Sequence, residues 1–209
     1  MNKPNLPEVV NSVALGPPLF SEAAQAIFAT TGDPFSAAFS QLMEKGLHLD
    51  ACRWMATHFP LRHAIWWGLL CLEDAAGKSR LSTEISGMIL RWVIDPSDMH
   101  RDQIHALNWE NPPESPLDYL AKAIAWSGPT MSAPHLPQVK ADPRLCGILV
   151  AAAIEIAAAS HPSIKPEDAF VRFLQLGLMV DSGQLDWSNP AFLAEKSVTD
   201  QTTPQGLFP

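Results

Sequence analysis

The sequence predicts an all-α fold, an irregular multi-helix bundle of about 8–10 helices, with stacked helical hairpins as the alternative arrangement. Three observations carry this. Prolines stand directly behind capping side chains in Asp33-Pro34, Asp95-Pro96, Ser115-Pro116, Asp142-Pro143 and Asn189-Pro190. At a helix start the cap oxygen accepts from an orphan backbone N–H, and proline, lacking that donor, sits well at the first helical position. Apolar residues then recur at three and four behind these starts, as helices require. Finally, β-like alternation is short and weak, and Ala and Leu outweigh Thr and Tyr.

The elements follow in order. Residues 1–19 carry prolines at 4, 7, 17 and 18 with no continuous apolar core, which predicts a flexible arm and neither a secretory signal nor a twin-arginine leader. A single helical domain is expected over 20–196. Its first helix covers 21–30. The second opens behind Asp33, places Phe35, Ala38, Phe39, Leu42 and Met43 on one stripe, and closes at Gly46. Further helices are predicted over 49–58, 60–76, 82–94, 96–109, 116–127, 142–160, 166–181 and 189–196. Residues 197–209 read as a disordered tail.

Two of these helices lack a polar face: Ala64 to Leu72 has no charge, and Cys146 to Ala159 is interrupted only by Glu155. Helices apolar all round lie at the centre of a bundle or in a membrane. Both runs fall short of the roughly 20 residues a bilayer span needs, so they are expected as central core helices. Between Trp126 and Asp142 the longest internal connector, a Pro-rich strap at 128–143, should run extended across the helices, with Met131, Leu136 and Val139 to bury.

The net charge of −8 and the absence of any Lys/Arg run argue against a phosphate-tracking surface, so nucleic acid is not expected as a partner. Cys52, Cys71 and Cys146 are widely spaced and odd in number. They form no disulfide framework and suit a reducing, cytoplasmic setting.

Candidate chemistry is sparse. The seven histidines form neither an HExxH pattern nor part of a Cys-x-x-Cys site, so no metal and no cofactor are expected. Cys71 and Cys146 lie in apolar runs, where burial makes a thiol inert. Cys52, beside Arg53 and near His48 and His58, is the most electropositive of the three. Asp98, Asp102 and His105 share one stripe, which the helix dipole and solvation explain. Glu155, inside an apolar helix, must reach water or find a cation; Arg144 is too far along the same helix, leaving Arg62, Arg91 or Arg172. No Gly-rich phosphate loop and no GxSxG motif is present.

Seven tryptophans bring large area with one donor each, and tryptophan is enriched at binding surfaces. Adjacent Trp66 and Trp67 point about 100° apart on a helix, so both are buried only if that helix is surrounded.

Three stretches together resemble a family of uncharacterised bacterial all-helical proteins of about this size: Phe59-Pro60-Leu61-Arg62-His63-Ala64-Ile65-Trp66-Trp67, then Ala123-Ile124-Ala125-Trp126-Ser127-Gly128, then Arg172-Phe173-Leu174-Gln175-Leu176-Gly177-Leu178. The resemblance covers roughly 20–185. Its members are often labelled as twin-arginine-signal proteins and are sometimes encoded near type VI secretion accessory genes. His63 departs from it, standing where an acidic residue is expected. What the resemblance implies is a cytosolic accessory or adaptor role, with no catalytic residue.

The resulting expectation is a non-enzymatic adaptor that binds a protein partner, or a second copy in a homodimer, through Arg62, His63, Trp66, Trp109, Trp126, Pro129, Pro134, His135 and Pro137. The alternatives are a hydrolase or transferase built from His58, His63, Cys52 or Glu155 in an interhelical cleft, and a secreted effector.

Overall fold

In a computed structural model of the chain, residues 19–31, 35–76, 83–108, 112–130, 132 and 137–188 are described. Among them lie nine helices and no strand: α1 (Glu22–Thr31), α2 (Phe35–Glu44), α3 (His48–His58), α4 (Leu61–Ala76), α5 (Glu84–Ile94), α6 (Asp98–Asn108), α7 (Pro116–Ala125), α8 (Pro143–Ala159) and α9 (Pro166–Asp181). The all-α expectation is met. The arm before Leu19, the starts at Asp33-Pro34 and Asn189-Pro190, the helix at 189–196 and the tail lie outside the described residues.

Two proline starts work as the sequence predicts. Ser115 forms a reciprocal capping box with Asp118 and is followed by Pro116, and Asp142 accepts from the Arg144 N–H at 2.9 Å ahead of Pro143. Hydrogen bonds from Arg144 hold the Asp142 carboxyl down at about 2. Asp95-Pro96 behaves differently. Asp95 ends α5, its N–H donating to the Arg91 carbonyl, and Ser97 opens α6, its hydroxyl accepting from the His100 N–H at 3.4 Å. The proline thus separates two helices rather than starting one, because Ser97, not Asp95, stands next to the first helical residue. Gly46 closes α2 in a left-handed conformation, φ +67°, that a side chain would strain.

α1 takes its start from elsewhere in the chain. The Ser21 N–H and hydroxyl both donate to the Asp50 carboxylate on α3, at 2.9 and 2.8 Å, and Ser21 Oγ accepts from the Ala24 N–H. Phe28 stacks on Trp54, with ring centroids 4.4 Å apart, which fixes the other end of the same contact.

α4 and α8 are the centre, as their sequences require. Every residue from Ala64 to Leu72 is buried. α8 buries Leu149, Val150, Ala153, Ile154, Ala157 and Ala158 against α3, α4 and α7, yet keeps a narrow outer edge at Ile156. α7 is the third enclosed helix, with Leu117, Leu120, Ala121, Ala123, Ile124 and Ala125 all inside. The two adjacent indoles divide their work. Trp67 donates to the Phe173 carbonyl of α9 at 2.6 Å, while Trp66 donates to the Leu185 carbonyl at 2.8 Å.

Small residues set the spacing. A Cβ on Gly147 would lie 2.7 Å from the Ala56 carbonyl oxygen and from Thr57 Cα, so α3 and α8 touch backbone to backbone. Gly177 likewise admits Met55 and Trp67 to the surface of α9. The opposite case is Gly87 in α5, where a Cβ would meet only the Arg91 guanidinium at 3.9 Å.

This contrast sets a test by urea denaturation. Gly147→Ala should destabilise the fold by about 1–3 kcal/mol, since the obstructing atoms are backbone. Gly87→Ala should stabilise it by about 0.5–1 kcal/mol through helix propensity alone. Equal midpoints for the two variants would contradict the packing described.

Candidate interaction site

The first two turns of α4 carry three of the predicted contact residues, Arg62, His63 and Trp66, and the structure turns them inward. Arg62 donates to the Val93 and Ile94 carbonyls at 2.7 and 2.8 Å, satisfying the open C-terminal end of α5. Its guanidinium lies 4.2 Å from the Trp187 ring centroid. His63 meets the same indole edge-on, centroids 5.1 Å apart, and its Nδ1 is buried without a hydrogen-bond partner. Asp186 beside them is held below the usual carboxylate range, mainly by hydrogen bonds from Ser188 and less by Arg62 and His63. With the Trp66 hydrogen bond, these groups form a clasp that holds residues 182–188 against α4 and α5.

Trp126 is half-buried at the end of α7, its ring 5.8 Å from Lys122 Nζ. Burial lowers the Lys122 ammonium from its ordinary range, and Asp118 opposes that shift. Pro137 is exposed on the strap. Trp109, Pro134 and His135 lie outside the described residues.

The residues of the enzymatic alternative do not converge. Cys52 and Cys71 are fully enclosed; burial pushes both thiols well up, and at Cys52 the Glu155 carboxylate adds to the rise while Arg53 opposes it. Cys146 is also raised by burial. His58 is exposed and lies over Trp54, centroids 3.7 Å apart, whereas His63 belongs to the clasp. None of Cys52, His58, His63 and Glu155 lines any of the three recesses described below.

Glu155 is paired, by a residue the sequence reading passed over. Arg53 on α3 grips it with two bonds, at 2.7 and 2.9 Å, and with a third holds the Leu19 carbonyl at 2.7 Å. Of the three expected partners, Arg62 is engaged at α5 and Arg172 with Asp74, and Arg91 is not the partner either. Asp74 also faces His161, whose Nε2 is 3.6 Å away and whose Nδ1 accepts from the Ser163 N–H. That link ties α4, the α8–α9 connection and α9 together. Periodicity carries no trace of it, since its three members sit on separate elements. Among the described residues, no group of three or more His, Cys, Asp or Glu is placed to hold a metal ion.

The largest of the recesses is charged. It is a cleft of about 710 Å³ between α6 and the strap. Asp98, Arg101, Asp102 and His105 form the α6 wall, and Pro129, Thr130 and Ser132 the strap wall. The acidic stripe expected to be merely solvated therefore stands on the side of a recess. The strap is fixed by its own hydroxyls: the Val139 N–H donates to Thr130 and Ser132 Oγ atoms at 3.1 Å, and Thr130 returns a bond to the Val139 carbonyl at 3.3 Å. Gly128 starts the strap by lying on Arg101, where a Cβ would come within 2.7 Å of Nε. Two other recesses are smaller: a groove of about 460 Å³ along the outer face of α9, and an apolar pocket of about 200 Å³ at the ends of α4, α7 and α8.

What the fold and the cleft define is a helical domain with a charged, strap-walled recess. Residues 38–181 match a family of unknown function, DUF6931, and the chain belongs to that family. The match is narrower than the 20–185 expected from the resemblance, but it agrees in kind, an uncharacterised domain family. It includes the cleft and excludes α1 and the clasped segment 182–188. No curated protein and no solved structure matches the chain. No helix among the described residues is long and apolar enough to cross a membrane.

Two outcomes follow from these pairings. Glu155→Leu should cost about 2–3 kcal/mol by leaving Arg53 half-buried and unpaired, and adding Arg53→Met should recover most of it; chemical denaturation of the two variants checks this. The folded thiols of Cys52 and Cys71 are raised, so their contribution to stability is intact below pH 8.5 and is lost as pH climbs through the folded values. A Cys52→Ala/Cys71→Ala variant should therefore lose less stability than the parent between pH 9 and 11.

Proposed function

We propose that this protein is a non-enzymatic helical adaptor of the bacterial cytosol, binding a protein partner at the cleft between α6 and the strap. The observation that carries the reading is the strap itself. A connector held by Thr130, Ser132 and Val139 keeps a polar wall open opposite Asp98 and Asp102, where it could have collapsed onto the helices. Pre-set polar walls of this kind lower the ordering cost of binding. Arg62 supports the site indirectly by holding the carboxyl-terminal end of α5, which leads into α6.

The resemblance to proteins encoded near secretion genes supports a narrower version, in which the partner is a component or cargo of a bacterial secretion apparatus. A second copy of the chain is the competing occupant.

Site-specific crosslinking in lysate of the source cell tests the proposal. A photoreactive residue at Thr130 should yield a discrete heteromeric product that disappears when Ala106→Trp fills the cleft. The same probe at Ala29, on the far side of α1, should give none. Products that are equal at both positions, or unaffected by Ala106→Trp, would overturn it; a product of twice the chain mass would assign the site to self-association.

A further inference from the structure

α8 has one side that its neighbours leave uncovered. α3, α4, α7 and α9 pack around the helix, yet Leu145, Ile148, Ala152 and Glu155 stay half-buried, and Ile156 and Ala159 are exposed. At 100° per residue these positions fall within one sector of about 100°, so they form a continuous stripe about 21 Å long. Ile156 keeps 38% of its surface open, and neither it nor Ile148 belongs to the buried core. The one polar member, Glu155, is spent on Arg53. A helix edge that faces only water carries polar side chains. This edge offers aliphatic ones.

The chain before α1 is delivered to that stripe. Arg53 grips Glu155 with Nε and Nη2, and its Nη1 holds the Leu19 carbonyl at 2.7 Å. One guanidinium thus joins the stripe to the residue at which the amino-terminal arm enters the fold. Eighteen residues precede Leu19, and from Val9 to Pro18 they include Val9, Val10, Val13 and Leu15 but no Lys, Arg, Asp or Glu. Leu15 and Val13 stand four and six residues before Leu19, a reach of up to about 13 and 20 Å at about 3.3 Å per residue. α8 from Glu155 back to Leu145 measures about 15 Å. Both side chains can therefore be laid along it. The carboxyl-terminal tail leaves from the clasp instead, beside the end of α5, which is not one of the helices packed closely around α8.

We infer that residues 9–15 of the chain's own amino-terminal arm dock on the α8 stripe, with Val13 and Leu15 against Ile148, Ala152 and Ile156, in place of the free arm that the prolines predict. The uncharged, valine-rich run gains burial, and α8 gains the cover its composition demands. This surface is separate from the α6 cleft, and the inference does not depend on the adaptor reading.

A nitroxide on Ser12→Cys in the full chain tests the inference, since the three native thiols are buried. The label should broaden the Ile148 and Ile156 methyl signals in NMR spectra to less than half their intensity, while Ile94, exposed at the end of α5, keeps most of its own. Val13→Ser/Leu15→Ser should restore both signals. Equal attenuation at the three isoleucines, or attenuation that survives Val13→Ser/Leu15→Ser, would overturn the inference. Attenuation seen only when spin-labelled and isotope-labelled chains are mixed would also overturn it, and would assign the stripe to a second copy's arm. Thermolysin, which cuts before Val and Leu, gives an independent reading from the other side of the contact. Ile148→Ser/Ile156→Ser should speed cleavage within residues 9–15 at least fivefold, with cleavage elsewhere unchanged. Leu178→Ser/Met179→Ser, which alters exposed aliphatic residues on α9, should change it less than twofold. Equal cleavage of the arm in the parent and both variants would sink the proposal.

Discussion

The structure depends on one constraint, the enclosure of α4. Nine successive residues of that helix are buried, so no direction around its axis may face water, and neighbours must cover it from every side. α8, α7, α9 and α5 supply that cover. Trp67 shows how tight the enclosure is: its indole is fully buried, yet its N–H still finds the Phe173 carbonyl, as a buried donor must. The glycines follow from the same demand. Helices packed around a central rod approach closely only where one of them gives up its side chain, and Gly147 and Gly177 stand at such crossings.

Polar residues are arranged around this core as fasteners. Arg53 joins α3, α8 and the chain before α1; Asp74 joins α4, α9 and the connection between α8 and α9; Arg62 joins α4, α5 and the segment after α9. Each fastener uses a group with several donors or acceptors to serve elements distant in sequence. The charged groups of the α6 cleft differ in one respect. Arg101 is held in the same way, but its two carboxylates keep most of their surface open to water.

Much of this was legible in the sequence, and the boundary of legibility is physical. Helix starts at Ser115-Pro116 and Asp142-Pro143 could be read because a cap and its proline are neighbours. The central place of α4 and α8 could be read because composition alone denies them a polar face. Asp95-Pro96 misled because the same dipeptide also suits the gap between two helices, where Ser97 supplies the cap. Arg53 was missed as the partner of Glu155 because 102 residues separate them and only packing brings α3 beside α8. The cleft was missed for a similar reason: its acidic stripe looks like any solvated helix face until the strap is laid across from it. α7 escaped notice as a core helix because Asp118 and Lys122 break its apolar run, although one serves the cap and the other carries its charge along a buried stem.

The distant cap of α1 has a consequence for how the chain is made. Asp50, which receives both the N–H and the hydroxyl of Ser21, lies 29 residues downstream. As the polypeptide leaves the ribosome, α1 emerges before the group that secures its first turn, and a helix of ten residues holds poorly in water without such help. Ser21 to Thr31 must therefore wait, unsecured, until α3 has been synthesised, and the amino-terminal helix becomes a late addition to a body that begins to form after it.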